Sequence, residues 1–415
     1  DETTSILAGH ISLGSGQIAL LLAPQFGPLA GALVPQQLVI DGALLAQAQG
    51  ARTLKLSSYR SLDLYGAGTF GSNGLEQLVI SSAGIRAFNQ GAGVAQFTAD
   101  KVVLGNPLNV APVAAPLALP SGSLVVNADT VELAAGDFQV SGYASNLINA
   151  SGGLLATGSG VLASNGALTV QAPVITGANG IVYTMRSTGA LTLAAAATPA
   201  SVVGGLAASL TFEGSSVDVA TTITAPSGRV QVLASTGAIN VTGTINTDGE
   251  VRRFYDSDRF SDGGEILLTS QLGSINLANT SRLSVSGAAA GGDAGSISIS
   301  TPLGAFSSLG QLVGRGAPGN AGGSFTLDTS SLPAFATLAT ELNAGGFSER
   351  RDFRIRTGNV LLNGDSTARH FALTADQGAI TVTGAIRANG QTGGSILLSA
   401  RDGLTLASGS LLDAS

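Results

Sequence analysis

The feature that most constrains this chain is a short pattern that keeps restarting: a glycine, then apolar residues at alternate positions, renewed every 6 to 10 residues. Val230 and Val232 lead to Ser235-Thr236-Gly237, then to Ile239, Val241, Gly243 and Ile245. Phe371 and Leu373 lead with the same spacing to Asp376-Gln377-Gly378, then to Ile380, Val382, Gly384 and Ile386. Gly263-Gly264-Glu265-Ile266-Leu267-Leu268 and Gly393-Gly394-Ser395-Ile396-Leu397-Leu398 open further copies. Looser ones run through 295–299, 322–327 and 168–193. An uninterrupted cycle takes about 25 residues, as from Phe371 to Ile396.

Each copy alternates at period two, is rich in Ile, Val, Leu and Thr, and closes on Gly, Asn, Asp or Ser. That predicts strands of three to five residues ended by bends. One such strand cannot bury a face alone. The spacing leaves no room for a helix between most of them, which excludes βαβ crossovers. Long paired strands with Asn-Gly turns are missing too, which argues against a meander of hairpins. What remains is a parallel β-solenoid with about three strands per coil, each lying on its equivalent one coil earlier at about 4.8 Å. The composition agrees. Only 11% of residues are charged, against roughly 25% in ordinary domains, because stacking sets like over like and ladders of one charge repel.

Residues 1–415 therefore read as one continuous solenoid with excursions at 105–121, 249–263 and 331–357. In the last, Leu332, Phe335, Leu338 and Leu342 recur at helical spacing, with Pro333 near the start and Asn343 and Gly345 near the stop. That spacing predicts a short helix over 331–343. The first half reads as less regular, with a Pro- and Ala-rich loop over 108–120. The apolar stretch Ile18–Val34 is cut by Pro24, Gln25, Gly27 and Pro28. It reads as two buried strands and a loop, not as a membrane span. The chain opens on Asp1 without a signal segment and stops in mid-pattern at Leu411–Ser415, so a piece of a longer protein is expected.

Most catalytic chemistry lacks its residues here. With no cysteine, disulfide scaffolds, thiolate–zinc sites and cysteine nucleophiles are excluded. A net charge of −7 argues against nucleic acid as a partner. There are two histidines, His10 and His370, no HExxH motif, and no Gly-Lys-Ser/Thr after the glycine pairs at 152–153 and 291–292. No enzyme, cofactor or metal is expected. Asp256, Asp258 and Asp262 have the oxygen chemistry calcium prefers, but a calcium loop would place its glycine elsewhere.

Charge is instead concentrated. The runs Glu250–Glu265 and Glu349–Arg356 hold 14 of the 45 charged residues. Arg252, Arg253, Tyr255 and Arg259 of the first, and Arg350, Arg351, Arg354 and Arg356 of the second, form the candidate partner-binding set. Arginine beside aromatic residues suits a glycan or a protein partner. The simpler reading, a solvated loop and shoulder whose arginines and carboxylates pair with each other, is preferred.

The unit 393–414, Gly-Gly-Ser-Ile-Leu-Leu-Ser-Ala-Arg-Asp-Gly-Leu-Thr-Leu-Ala-Ser-Gly-Ser-Leu-Leu-Asp-Ala, resembles the repeats of filamentous haemagglutinin-type exoproteins. The stretch from Leu342 through Arg350 and Arg354 to Val360 is similar to one in large bacterial members of that group. The likeness covers mainly residues 120–415, and the first hundred residues match only in composition. It implies a right-handed parallel β-helix exported by two-partner secretion through an outer-membrane partner transporter. It also implies a secreted or bacterial cell-surface adhesin. The family's amino-terminal secretion domain is not recognisable here, and no binding residue carries over. The expected function is structural: a stalk or filament acting in adhesion, biofilm or self-assembly. Its partners would be host, neighbouring-cell or matrix glycans or proteins, without nucleic acid and without a transmembrane segment. The stalk of a contact-dependent toxin delivery exoprotein, a carbohydrate-active β-helix enzyme and an autotransporter passenger stay open as alternatives.

Overall fold

Alternation in the sequence becomes alternation in burial. Along Ser324–Thr329 the side chains of Phe325, Leu327 and Thr329 are buried while Ser324, Thr326 and Asp328 are not. A computed structural model describes residues 9–23, 37–89, 91–114, 119–389 and 393–415. In it the chain is all-β and folds as a parallel β-helix of the solenoid type, with two helices. It divides into two compact units, Asp1–Gly204 with Phe212–Ser215, and Gly205–Thr211 with Ser216–Ser415.

In the first unit, His10–Ser15 pairs in parallel with Thr53–Ser58, which pairs with Gln77–Ser81, and that with Lys101–Gly105. A second ladder runs through Gln17–Leu21, Leu62–Tyr65, Gly84–Phe88, Gly136–Ser141, Gly160–Ser164 and Val182–Ser187. The stack is thus regular from His10 onward, contrary to the expectation of an irregular first half. Gln17–Leu21 is a buried strand, whereas residues 24–34 of the apolar stretch lie outside the described residues. No described helix is long and apolar enough to cross a membrane.

Several strands exceed the expected length by one residue, and two in this unit by far more. Ser123–Leu133 and Ser145–Ala156 take 11 and 12 residues, because their corner is a register shift between Ala128 and Thr130 that bends the ladder without ending it. Helix α1 (Gly42–Gln49) was not legible from periodicity. Its Ala, Leu and Gln residues favour helix by intrinsic propensity, not by an apolar stripe.

Two tyrosine hydroxyls in this unit, of Tyr143 and Tyr183, are buried with no hydrogen-bond partner among the described residues. Burial pushes both above the usual 10.0, and the Asp137 charge adds to the shift at Tyr183. Folding therefore favours the neutral phenol. The associated stability is present below pH 10 and is lost as the pH rises above it, where the unfolded chain ionises first. Tyr143→Phe should raise stability at pH 7 by about 1 kcal/mol and flatten the alkaline decline in urea titrations. A loss of stability at pH 7 would contradict the orphaned hydroxyl.

The second unit shows the three-strand coil directly. Six-residue strands at Arg229–Ala234, Glu265–Ser270, Ser296–Thr301, Ser324–Thr329, Arg350–Ile355, His370–Ala375 and Ser395–Ala400 stack in parallel. Two columns of three-residue strands accompany them, such as Ile239–Val241 on Ile275–Leu277 and Thr244–Asn246 on Arg282–Ser284. Polar ladders line the outside. Asn240 Nδ2 donates to Asp218 Oδ1 (2.8 Å), Asn276 Nδ2 to Asn240 Oδ1 (2.9 Å), and Ser307 Oγ to Asn276 Oδ1 (2.9 Å).

Helix α2 (Phe335–Gly345) begins four residues later than predicted and ends on Gly346 at φ 85, a left-handed cap. It buries Phe335, Leu338, Ala339 and Leu342. The helix takes the place of both short strands in its coil and carries their bonds. Gly314 N donates to Gly345 O, Ser308 Oγ to the Glu341 carboxylate, and Asn343 Nδ2 to Asp365 O. The excursion predicted at 331–357 is therefore too long. Arg350–Ile355 is a strand of the stack, with Arg351, Phe353 and Ile355 inward.

Candidate functional site

Residues 249–263 leave the stack between Thr244–Asn246 and Glu265–Ser270 and form an antiparallel hairpin of Val251–Phe254 with Ser257–Phe260. Every residue of both strands is exposed. The two-residue connection Tyr255-Asp256 puts Tyr255 at φ 57. A positive φ at the first turn position matches the right-handed twist of a ribbon but normally calls for glycine. The Tyr255 ring stands wholly in solvent, and Phe254 is 60% exposed.

Directly opposed residues share a face in an antiparallel pair. Val251 with Phe260 and Arg253 with Asp258 make one face; Arg252 with Arg259 and Phe254 with Ser257 make the other. Arg252 reaches Glu250 at 2.7 Å, and Arg253 Nε donates to Tyr255 O at 3.3 Å. Arg259 makes no side-chain hydrogen bond or ion pair among the described residues. Two arginines facing each other across the ribbon are an unfavourable pair that an external anion would relieve.

The base is pinned. Ser261 Oγ accepts from Glu250 N (2.9 Å), lies 3.1 Å from Glu250 O and 2.6 Å from Ser227 Oγ. Asp262 Oδ1 accepts from Asp293 N (2.9 Å). The Phe260 ring lies over Gly291, where a Cβ would come within 2.9 Å of it. Asp256, Asp258 and Asp262 are thus spread over tip, strand and base.

The second charged run is different in kind. Arg350 pairs with Asp352 (3.1 Å), Arg354 with Asp376 (3.0 Å), and Arg356 holds Asp328 with two bonds of 2.7 Å. The Asp328 hydrogen bond raises the Arg356 guanidinium above its ordinary value. Here charge pairing is what the structure contains, and the run is a shoulder of paired side chains on the outer face. Arg351 leaves the candidate set. It is 1% exposed, pointing inward, where Nε donates to Phe347 O (2.8 Å) and Nη1 to Ser366 Oγ (2.9 Å). Both histidines are strand residues; His370 Nδ1 lies 2.9 Å from Ser395 Oγ on the next coil.

One feature escaped the sequence reading. In the first unit, a groove of about 300 Å³ runs over the outward face of Gly136–Ser141, Gly160–Ser164 and Val182–Ser187, with Asp137, Gln139, Asn165 and Arg186 along it. These residues come from successive coils, so only the register between coils brings them together. The chain matches no family model, no curated protein and no solved structure.

Proposed function

We propose that this chain is a stalk or filament segment of a large secreted or surface-exposed bacterial adhesin of filamentous haemagglutinin type. The stacked coils supply reach, and the 249–263 hairpin supplies contact with a glycan or protein on a host cell, a neighbouring cell or the matrix. Export through an outer-membrane partner transporter belongs to the same reading. The supporting observation is the contrast between the hairpin and its surroundings: an exposed ribbon with Arg259 unpaired among the described residues and Phe254 and Tyr255 in water, standing on coils lined by polar ladders whose side chains bond one another. Rigid aromatic and arginine side chains at low entropic cost are what recognition surfaces use. No step of catalysis enters this reading.

Replacing residues 251–260 by two glycines tests it. Saturable binding of the chain to bacterial or epithelial cell surfaces should fall at least about tenfold. The unfolding midpoint should stay in place, because the hairpin buries little. Undiminished binding by the folded variant overturns the assignment of contact to the hairpin.

A further inference from the structure

We infer that the groove in the first unit is a binding site for a carboxylated sugar residue, such as a uronate within an acidic polysaccharide. Its floor is built by register. Asp137, Val161 and Thr184 form one outward row, and Gln139, Ala163 and Arg186 the next. Ala163, small and central, leaves a trough between Gln139 and Arg186. Its volume of about 300 Å³ is at the lower end for small-ligand pockets.

The wall is the loop 106–114, and it is fixed. The buried Asn106 side chain donates from Nδ2 to Val110 O and Asp137 O, each at 2.8 Å, and accepts from Val110 N at 3.1 Å. Arg86 Nη1 donates to Ala114 O at 3.3 Å. Pro112, on this wall, turns an apolar surface to the groove.

The two charged side chains in the groove are free for a ligand. Arg186 has no side-chain hydrogen bond or ion pair among the described residues, whereas Arg86 on the same sheet holds Asp63 with two bonds of 2.9 and 2.7 Å. The Asp137 carboxylate is likewise unbonded. Gln139 Nε2 donates to Asn165 Oδ1 (3.1 Å). That bond orients both amides and leaves Gln139 Oε1 to accept and Asn165 Nδ2 to donate. A guanidinium presents a fork suited to a carboxylate, and an ionised Asp is an acceptor only, suited to adjacent hydroxyls. One ring with a carboxylate, vicinal hydroxyls and an apolar face satisfies all of them. Asp137 at the far end of the floor opposes a dianion such as phosphate, which separates this class from phosphorylated ligands.

The test uses the 415-residue chain and a galacturonate trisaccharide, with its methyl ester and glutarate as controls, read by calorimetry or ligand-observed NMR. The acid trisaccharide should bind saturably. Esterification and Arg186→Gln should each weaken it about tenfold, and Asn165→Ala by a smaller factor. Replacing the 251–260 hairpin should leave it unchanged, so failure of the adhesion reading and failure of this one are distinguishable. Three outcomes overturn the proposal: no saturable binding at about 10 mM trisaccharide, equal binding by Arg186→Gln, or glutarate binding as well as the sugar acid.

Discussion

Alanine at Gly264 should destabilise the second unit by about 3 kcal/mol or more, a large effect for one added methyl group. Gly228, Gly264 and Gly295 lie above one another where three successive coils turn into their long strands. A Cβ on Gly264 would sit 2.0 Å from Gly228 O, and one on Gly295 would sit 1.8 Å from Gly264 O. Those oxygens cannot retreat freely. Glu265 N donates to Gly228 O (2.9 Å), Ser296 N to Gly264 O (3.1 Å) and Ser324 N to Gly295 O (3.1 Å). Relief of the clash therefore breaks the ladder bond that starts the next strand and leaves its N–H and C=O groups unpaired. The control is Gly16→Ala, where nothing lies within 4 Å of the added carbon. It should be neutral or slightly stabilising, through the smaller entropy of the unfolded chain. Urea unfolding followed by circular dichroism measures both. A Gly264→Ala loss below about 1 kcal/mol would mean that the coils can spread at this corner without losing their pairing.

That column also shows why the architecture was readable from residues alone. Glycine recurs at this corner in Gly228, Gly264, Gly295, Gly323 and Gly394, while Glu349 and Arg369 take the place in two coils, and the apolar alternation that follows is the strand the corner admits. Helix α2 was readable for a similar reason. Leu332, Phe335, Leu338 and Leu342 depart from period two, and its last turn runs on to Gly345 because Gly346 provides the cap. The hairpin at 249–263 announced itself by charge, since a stack disfavours like charges in ladders.

Elements that obey propensity without periodicity were not readable. Helix α1 has no clear apolar stripe. The strand Arg350–Ile355 hid behind its charges, because its outward Arg350, Asp352 and Arg354 find partners on the strand itself or just past the end of a neighbouring one, and because an arginine occupies an inward position. The groove in the first unit was invisible for a different reason. Asp137, Gln139, Asn165 and Arg186 carry no motif, and their proximity exists only once the coils are in register.

Arg351→Ala should lose about 3 to 5 kcal/mol, although the residue belongs to a charged run that otherwise lies on the outer face. Its position in the inward column falls between Phe325 and Phe371, with Phe353 packed 6.1 Å from the first ring and 5.7 Å from the second. Truncation opens a cavity there and leaves Phe347 O and the buried Ser366 hydroxyl without their donor. Yet the charge itself works against folding. No carboxylate among the described residues pairs with this guanidinium, and burial lowers it from its ordinary value to about 10. Restoring the volume and removing the Ser366 hydroxyl, in Arg351→Met with Ser366→Ala, leaves only Phe347 O without its donor and should recover stability to within about 2 kcal/mol of the wild type. The pH dependence separates the two contributions. Below pH 10 the arginine is charged in both states, and the native protein bears the full desolvation penalty. Above pH 10 the native state releases the proton before the unfolded chain does, so the wild type gains on the double variant by up to about 3 kcal/mol. The buried tyrosines are common to both proteins and cancel in that difference. A constant difference across this window would place the guanidinium in contact with water, and an Arg351→Ala loss below about 1 kcal/mol would remove it from the core.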